Sequence, residues 1–165
     1  MLGTSEKKTR KRFNLLLLEE RDHYFEDYGA YLHLPPSGNN VVPLHERKQL
    51  KGRIHVSSKN IFFEPESTRT AIYRFSLRNI QSLRQGGVGL KSHTILQCSK
   101  YAMITPNQPF TFVSLAPNSL EGEFAISLLY TSNTFQALLA ELHAIEMVKV
   151  KCYVTIIKTH PPHLA

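Results

Sequence analysis

The chain has 165 residues, of which 42% are hydrophobic and 20% are charged, a composition typical of one globular domain with a short tail. No apolar run reaches the roughly 18 residues of a membrane-spanning helix, and the leucines that follow the basic start are too few for a secretory signal. The two cysteines, Cys98 and Cys152, predict neither a disulfide framework nor a zinc site. A reducing compartment, cytosolic or nuclear, is therefore expected.

The net charge of +7 is unevenly distributed along the chain. Residues 45–100 carry eleven lysines and arginines against three acidic residues, and residues 1–12 carry five against one. Residues 13–44 are acidic. A positive excess confined to one tail and one middle block favours an anionic partner, which could be nucleic acid, a phospholipid surface or an acidic protein.

The N-terminal part of the chain is expected to be a tail followed by two extended segments. Residues 1–12 are polar and basic, which predicts a disordered tail. The run Phe13–Leu18 predicts a buried strand, and Tyr24–Leu34 predicts a second extended segment. A helix over residues 15–32 is the alternative, but dense aromatics and Gly29 favour strand. Residues 35–40, PPSGNN, predict a loop.

The segment QLKGRIHVSSKNIFFEP predicts a β-hairpin with strands at Gln49–Ser57 and Ile61–Glu64. Apolar residues and glycine alternate with polar ones along the first strand, so one face is expected in the core and the other on the surface. Four residues, Ser57–Asn60, are expected to form the turn. The side chains predicted to share the basic side are Arg47, Lys51, Arg53 and His55, with Lys59 at the turn.

Further short strands and one helix complete the predicted fold. The helix is expected over Thr134–Met147, capped by Ser132 or Asn133, because apolar residues then recur with helical spacing from Phe135 onward. After it, KVKCYVTIIK within residues 148–165 reads as a strand. The remaining predicted strands are Ala71–Leu77, a short strand ending at Leu83, Thr94–Ile104, Phe110–Leu115 and Glu123–Tyr130.

Many antiparallel strands followed by one amphipathic helix indicate a mainly β fold with a C-terminal α-helix. A helix laid across the open end of a bent sheet covers its exposed core and edge. This is the plan of a pleckstrin-homology-like (PH-like, GRAM) bent-sheet barrel. The expected organisation is a basic tail at 1–12, the PH-like domain at 13–147 and a divergent tail at 148–165.

The basic side of the hairpin has two interpretations. It is either an ordinary solvated strand face or a contact for anionic lipid headgroups, which accept charge-assisted hydrogen bonds from lysine and arginine. The tail is a nuclear address, a membrane-attracted basic patch or a solvated terminus. The candidate lipid-binding residues are Arg47, Lys48, Lys51, Arg53, His55 and Lys59, with Lys7, Lys8, Arg10, Lys11 and Arg12 as an auxiliary basic tail.

Nucleic-acid binding and catalysis are not expected. The hairpin offers only Phe62 as an aromatic on its basic side, whereas an RNA-binding sheet interleaves several aromatics with cations. The eight histidines are scattered, with no H-E-x-x-H metal motif and no G-x-S-x-G elbow. The sequence therefore predicts no metal, no cofactor and no enzyme activity.

Three stretches resemble a known family: RFNLLLLEERDHYFEDYGA, HERKQLKGRIHVSSKNIFFEPES and AIYRFSLRNI. Together they are similar to the N-terminal PH-like (GRAM) region in the family of the factor associated with neutral sphingomyelinase activation, within the BEACH–WD40 class of adaptors. The similarity spans roughly residues 12–146, and the run LKGRIHVSSKNIFFEP is its most specific part. By position, the matching hairpin cations are Lys48, Lys51, Arg53 and Lys59.

This resemblance implies a cytoplasmic, peripherally membrane-bound adaptor in receptor signalling that leads to ceramide production. The implied partners are anionic membrane lipids, phosphoinositides among them, with receptor or signalling proteins and the downstream BEACH and WD40 domains. The sequence given ends before either of those domains, which suggests a fragment or a shorter form. The alternative is a PH-like protein-interaction module that binds an acidic partner along a strand edge or helix flank without lipid.

Overall fold

A computed structural model describes residues 12–38, 40–87, 92–105, 108 and 110–159. Within them, nine antiparallel strands form one half-barrel sheet, followed by a long helix, α1, at Asn133–Thr159. The strand order across the sheet is β5-β6-β9-β1-β2-β3-β4-β7-β8. The strands are β1 Tyr24–His33, β2 Gln49–Ser57, β3 Asn60–Pro65, β4 Ile72–Ser76, β5 Ile80–Gly86, β6 His93–Cys98, β7 Lys100–Ile104, β8 Thr111–Ser114 and β9 Glu123–Leu128.

The predicted hairpin is confirmed as β2 and β3. Ile54 lies opposite Phe63 and Val56 opposite Ile61, and all four side chains are buried in the core. Gly52 fits its position because a Cβ there would lie 2.1 Å from the carbonyl oxygen of Glu64. The alternation read from the sequence therefore places the inner face of β2 correctly.

The helix covers the inner face of the sheet, as predicted. Phe135, Leu139 and Leu142 are buried in the core, and the ring of Phe135 meets that of Tyr28 edge-on with centroids 5.0 Å apart. Ser132 is the helix cap, since its hydroxyl accepts a hydrogen bond from the Phe135 N–H. The mainly β fold with a C-terminal helix is thus confirmed.

The prediction of a buried strand at Phe13–Leu18 is wrong. Residues Leu15–Leu17 form a single 3-10 turn, and Leu15 and Leu16 are exposed to solvent. An apolar run of this length fits a buried strand by periodicity, but Asn14 caps a turn instead and turns the leucines outward. The second segment is a strand, β1, and the alternative helix over 15–32 does not form.

The strand predicted over Thr94–Ile104 is two strands with different neighbours. The first, β6, pairs with β5 and β9, whereas β7 pairs with β4 and β8. The break is at Ser99, whose N–H donates to the carbonyl of Asn79 and whose carbonyl accepts from Leu115. The apolar pattern continues through Ser99, so the sequence does not show this break, which is stabilised by hydrogen bonds to residues distant in the chain.

The strand predicted within residues 148–165 is also wrong for its described part, because α1 continues without a break to Thr159. Residues 148–159 are all exposed. Their β-branched side chains favour strand by propensity, but the packed helix before them propagates through them. Residues 160–165 lie outside the described part of the chain. No helix among the described residues is long and apolar enough to cross a bilayer.

Candidate functional site

The outer face of β2, opposite the core, still presents two of the predicted cations. The side chains of Lys51 and Arg53 are 49% and 47% exposed. Arg53 Nε lies 2.6 Å from Asp27 Oδ2 on β1, and Lys51 Nζ lies 3.9 Å from Glu66 Oε1. Ion pairs as exposed as these contribute roughly 0–1 kcal/mol, so both cations can exchange their partners for a ligand at small cost.

Arg47 and His55 are not exposed cations, contrary to expectation. The side chain of Arg47 is only 7% exposed; its Nη2 lies 2.6 Å from Glu123 Oε1, and its Nε donates to the carbonyl of Val42. This bridge ties the β1–β2 connection to the start of β9. Arg47 thus stabilises the fold and is not a free surface cation, because it pairs with Glu123, which lies 76 residues away in the sequence.

His55 points outward from β2, as the alternation predicts, but other residues cover it. Its Nε2 lies 3.0 Å from Glu64 Oε1, and its Nδ1 lies 3.3 Å from the hydroxyl of Tyr24. The ring of Phe13 stacks on the imidazole with centroids 4.0 Å apart. Burial lowers the pKa of His55 below 6.5, against the raising influence of Glu64. His55 is therefore neutral at neutral pH and is not a surface cation.

The cover over His55 is the N-terminal strap, which we define as residues 12–19. The backbone N–H groups of Arg12 and Phe13 donate to Glu64 Oε2. Burial by itself would raise the pKa of Glu64, but the hydrogen bonds from Arg12, His55 and Phe13 outweigh it and hold the pKa below 4.5. Glu64 is thus a carboxylate that binds the strap to the outer face of the sheet.

The side chain of Arg12 holds the strap to the β3–β4 loop. Its guanidinium donates to the carbonyl oxygens of Thr70 at 2.6 Å, Pro65 at 3.1 Å and Ser67 at 3.2 Å. Arg12 is therefore engaged in the fold, whereas it was expected to belong to the basic tail. The other predicted tail cations, Lys7, Lys8, Arg10 and Lys11, lie outside the described residues.

Lys48 and Lys59 lie at either end of β2. Lys48 is exposed, and Lys59 is half-buried, with its Nζ donating to the carbonyl of Glu20 at 2.9 Å. The structure thus brings Lys51 and Arg53 together on one face, with Lys48 next to that strand and Lys59 at its far turn. The six candidates do not form one cluster.

A buried carboxylate that sequence reasoning missed braces the hairpin turn. Asp22 accepts hydrogen bonds from the hydroxyls of Ser57 and Ser58, from the Lys59 backbone N–H and from the Asn60 side-chain amide, all within 3.0 Å. The polar turn SSKN carries these donors in the sequence. Nothing local shows that an aspartate 35 residues earlier accepts from them.

A second group of residues on the outer face combines cations with exposed aromatics. The guanidinium of Arg74 lies 5.0 Å from the ring centroid of Phe110 and 5.7 Å from that of Phe112, and Lys100 Nζ lies 5.0 Å from Phe112. Both rings are substantially exposed. Glu19 of the strap is 3.8 Å from Arg74. The alternation in PFTFVS is the signal by which this group could have been found.

Neither the groove beside α1 nor the arrangement of possible metal ligands in the described part of the chain supports a different binding site. A groove of about 490 Å³ between α1 and the turn at Leu77–Asn79 contains both Lys59 and Arg78 and the acidic residues Glu19 and Glu146. Its charge is mixed. Within the described residues, no group of three or more His, Cys, Asp or Glu side chains is arranged to hold a metal ion.

Two comparisons with known proteins agree with this architecture. The family model described as "FAN protein N-terminal PH domain" matches residues 1–150. Among solved structures, the chain is similar to a "Vps36 N-terminal PH domain" with a TM-score of 0.50 and 14% sequence identity. That alignment covers 80% of this chain and 86% of the other. At this level of identity the structural similarity concerns the fold alone.

Proposed function

The chain belongs to the family of FAN N-terminal PH domains, and from this premise we propose that it is a peripheral module that binds anionic phospholipid. PH domains are in general non-catalytic modules that bind lipids or proteins. In this proposal the chain has no enzyme activity and acts in the cytoplasm at a membrane surface. It would serve a BEACH–WD40 signalling adaptor linked to neutral sphingomyelinase activation.

The observation that carries the proposal is the exposed pair of cations on the outer face of β2. Lys51 and Arg53 are two residues apart on one strand, so their side chains leave the sheet on the same side. Their acidic partners, Asp27 and Glu66, are themselves partly exposed. A phosphate that replaces those carboxylates gains charge-assisted hydrogen bonds from both cations.

Further cations of the chain add to this attraction. Lys48 is exposed beside β2, and Lys59 contributes at the turn. An anionic membrane surface adds about 1 kcal/mol of attraction for each nearby lysine or arginine. We also assign this auxiliary role to Lys7, Lys8, Arg10 and Lys11, which precede the strap in the sequence, because separate weak contacts on one surface combine their affinities.

Co-sedimentation with vesicles tests the proposal. Vesicles that each contain one phosphoinositide are compared with phosphatidylserine vesicles of equal total charge, at low and at high salt. We expect the protein to pellet with the anionic vesicles and to prefer one phosphoinositide over others of equal charge. Binding that follows total charge alone indicates adhesion without a headgroup site, because such attraction fades with salt. Absence of pelleting on every anionic vesicle contradicts the proposal.

The open edge of β8 favours one alternative function, which is protein recognition. Because β8 is the last strand of the sheet, its outer edge has no neighbour among the described strands. A partner peptide could add a strand there. The backbone amides of Thr111–Ser114 would then become protected from hydrogen exchange when a partner binds, in the absence of any lipid.

A further inference from the structure

The N-terminal strap presents two leucines to solvent at its middle. Leu15 is 64% exposed and Leu16 is 92% exposed. Single exposed apolar residues are common on proteins, but here two large ones are adjacent at the tip of one turn. Neither leucine belongs to the buried core.

The turn that carries these leucines is held in place. Asn14 Oδ1 accepts a hydrogen bond from the Leu16 N–H at 2.8 Å, and the Leu18 N–H donates to the carbonyl of Leu15 at 3.2 Å. On one side of the turn, the N–H groups of Arg12 and Phe13 bind Glu64, and on the other, Glu19 pairs with Arg74. Because the turn is already ordered, inserting its side chains into another phase costs little conformational entropy.

The strap lies on the same face of the sheet as the exposed cations. The strand register places His55 opposite Phe62, Phe62 opposite Arg74, Arg74 opposite Ala102 and Ala102 opposite Phe112. Phe13 packs on the first two members of this row, with ring centroids 4.0 Å from His55 and 5.1 Å from Phe62. The same face therefore carries Lys51 and Arg53 on β2 and Phe112 on β8.

The charges around the leucines suit an anionic surface. Lys51, Arg53 and Lys100 extend from the outer face on either side of the strap. Three acidic side chains of this region, Asp27, Glu66 and Glu19, each already lie in an ion pair with a cation of this face. Apolar side chains bordered by lysine and arginine are the pattern of proteins that lie in the interface of an anionic bilayer.

We propose that Leu15 and Leu16 insert into the membrane interface and that the outer face of the sheet, with its flanking cations, lies against an anionic bilayer. This inference rests on the proposed lipid-binding function and adds to it an apolar anchor and an orientation. Phe110 and Phe112 then lie near the same interface. The attraction has two parts, of which the charged part is weakened by salt and the apolar part is not.

The chain contains no tryptophan, so a single Leu16→Trp substitution provides a unique fluorescent probe. Phosphatidylcholine vesicles with a minority of phosphatidylserine, with and without bromine on their acyl chains, are titrated into this variant. We expect a blue shift of the emission and quenching by the brominated chains. The control is Ile156→Trp on the exposed end of α1, where the side chain is 58% exposed; its emission should stay unchanged.

The outcomes separate this inference from the proposed function. If the Leu16→Trp protein sediments with the vesicles but shows neither blue shift nor quenching, lipid binding stands and the insertion is overturned. Equal quenching of the Ile156→Trp probe overturns the orientation. If the wild-type chain does not sediment at all, the proposed function fails, and the insertion fails with it.

A loss-of-contact variant checks the same inference without a probe. Leu15→Ser with Leu16→Ser should lower vesicle partitioning by roughly tenfold for each leucine, and the loss should persist at high salt. Its unfolding transition should stay close to that of the wild type, because both side chains are exposed. Ile156→Ser is the matched control. Unchanged partitioning overturns the inference. It is also overturned if the wild-type chain forms a dimer that the double substitution dissociates while lipid binding stays the same, because the leucines would then be a contact between two copies of the chain.

Discussion

The ring of Phe13 stacks on the imidazole of His55, with centroids 4.0 Å apart and planes 11° from parallel. Phe13 also contacts Phe62, so one residue of the strap closes the outer face of β2 and β3. A charged imidazole would not remain buried beneath this ring without cost. His55, which the sequence predicts to be a surface cation, is therefore a neutral residue packed with Phe13 and Phe62 on the outer face of the sheet.

Replacing Phe13 with alanine should release the strap. The lost aromatic contacts are expected to cost about 1–3 kcal/mol of unfolding free energy, less than for a fully buried phenylalanine, because Phe13 is only half-buried. Urea denaturation measures this value. Leu16→Ala is the control and should have little effect. An equal loss in both variants would show that Phe13 has no special role.

The fold should lose stability in mild acid through His55. Its pKa is lowered by burial, so the unfolded chain binds a proton at a higher pH than the folded chain does. The contribution of the neutral His55 to the unfolding free energy is therefore fully present above about pH 6.5 and is lost as the pH drops below that value towards the folded-state pKa. His33, whose pKa burial also lowers, has the same sign. Titration of the imidazole resonances by NMR checks this; a pKa for His55 at or above 6.5 contradicts it.

Glu64 should extend this acid sensitivity to lower pH. Its folded-state pKa lies below 4.5, so its contribution is present above that value and is lost as the pH falls through the folded-state pKa. Glu64→Gln should remove this lower step and weaken the strap, because the amide accepts fewer hydrogen bonds from Arg12 and Phe13. Urea midpoints measured from pH 7 to pH 3 show whether the step is missing. A wild-type profile in the variant would refute the role of Glu64.

Asp22 should be the carboxylate on which the hairpin turn depends most. Asp22→Ala removes the acceptor of four hydrogen bonds, two of them from the buried Ser57 and Asn60, and we expect a loss of about 3 kcal/mol in unfolding free energy. Asp27→Ala removes only the exposed partner of Arg53 and should cost less than about 1 kcal/mol. Denaturation of the two variants side by side measures the difference. Equal costs would mean that the turn is stable without Asp22.

The two parts of α1 should differ in importance. A chain that ends at Met147 keeps the buried Phe135, Leu139 and Leu142 and should unfold cooperatively, close to the wild type. A chain that ends before Asn133 exposes the core that these residues cover and should aggregate. Scattering and thermal unfolding compare the two truncations. A soluble, cooperatively folded product from the shorter chain would contradict the role assigned to the helix.

Sequence patterns correctly predicted the strands and the helix whose contacts are made mainly by residues close together in the sequence. The hairpin follows from alternation between Leu50 and Val56, and the helix from the spacing of Phe135, Leu139 and Leu142. The positions of Lys51 and Arg53 on the exposed face follow from the same alternation. The family resemblance, read from the hairpin and its flanking segments, is confirmed by the family model.

The features that could not be predicted depend on contacts between distant residues. Glu64 binds the strap across 52 residues, and Glu123 binds Arg47 across 76. Because such partners are brought together only by the fold, alternation alone assigned Arg47 and His55 to the surface. The strand predicted from the run NLLLL was wrong for a related reason, since its apolar composition does not show whether the run lies in the core or at the surface.

Vesicle partitioning of two charge-reversed variants tests the central claim most directly. Lys51→Glu with Arg53→Glu reverses the exposed pair on β2, and Lys151→Glu with Lys158→Glu makes the same change in net charge on the exposed C-terminal part of α1. At about 1 kcal/mol for each charge, we predict a loss of at least tenfold, and up to roughly a thousandfold, for the first variant. The second should bind nearly as the wild type does. Equal binding by both variants, whether retained or lost, would contradict a lipid contact at the outer face of β2.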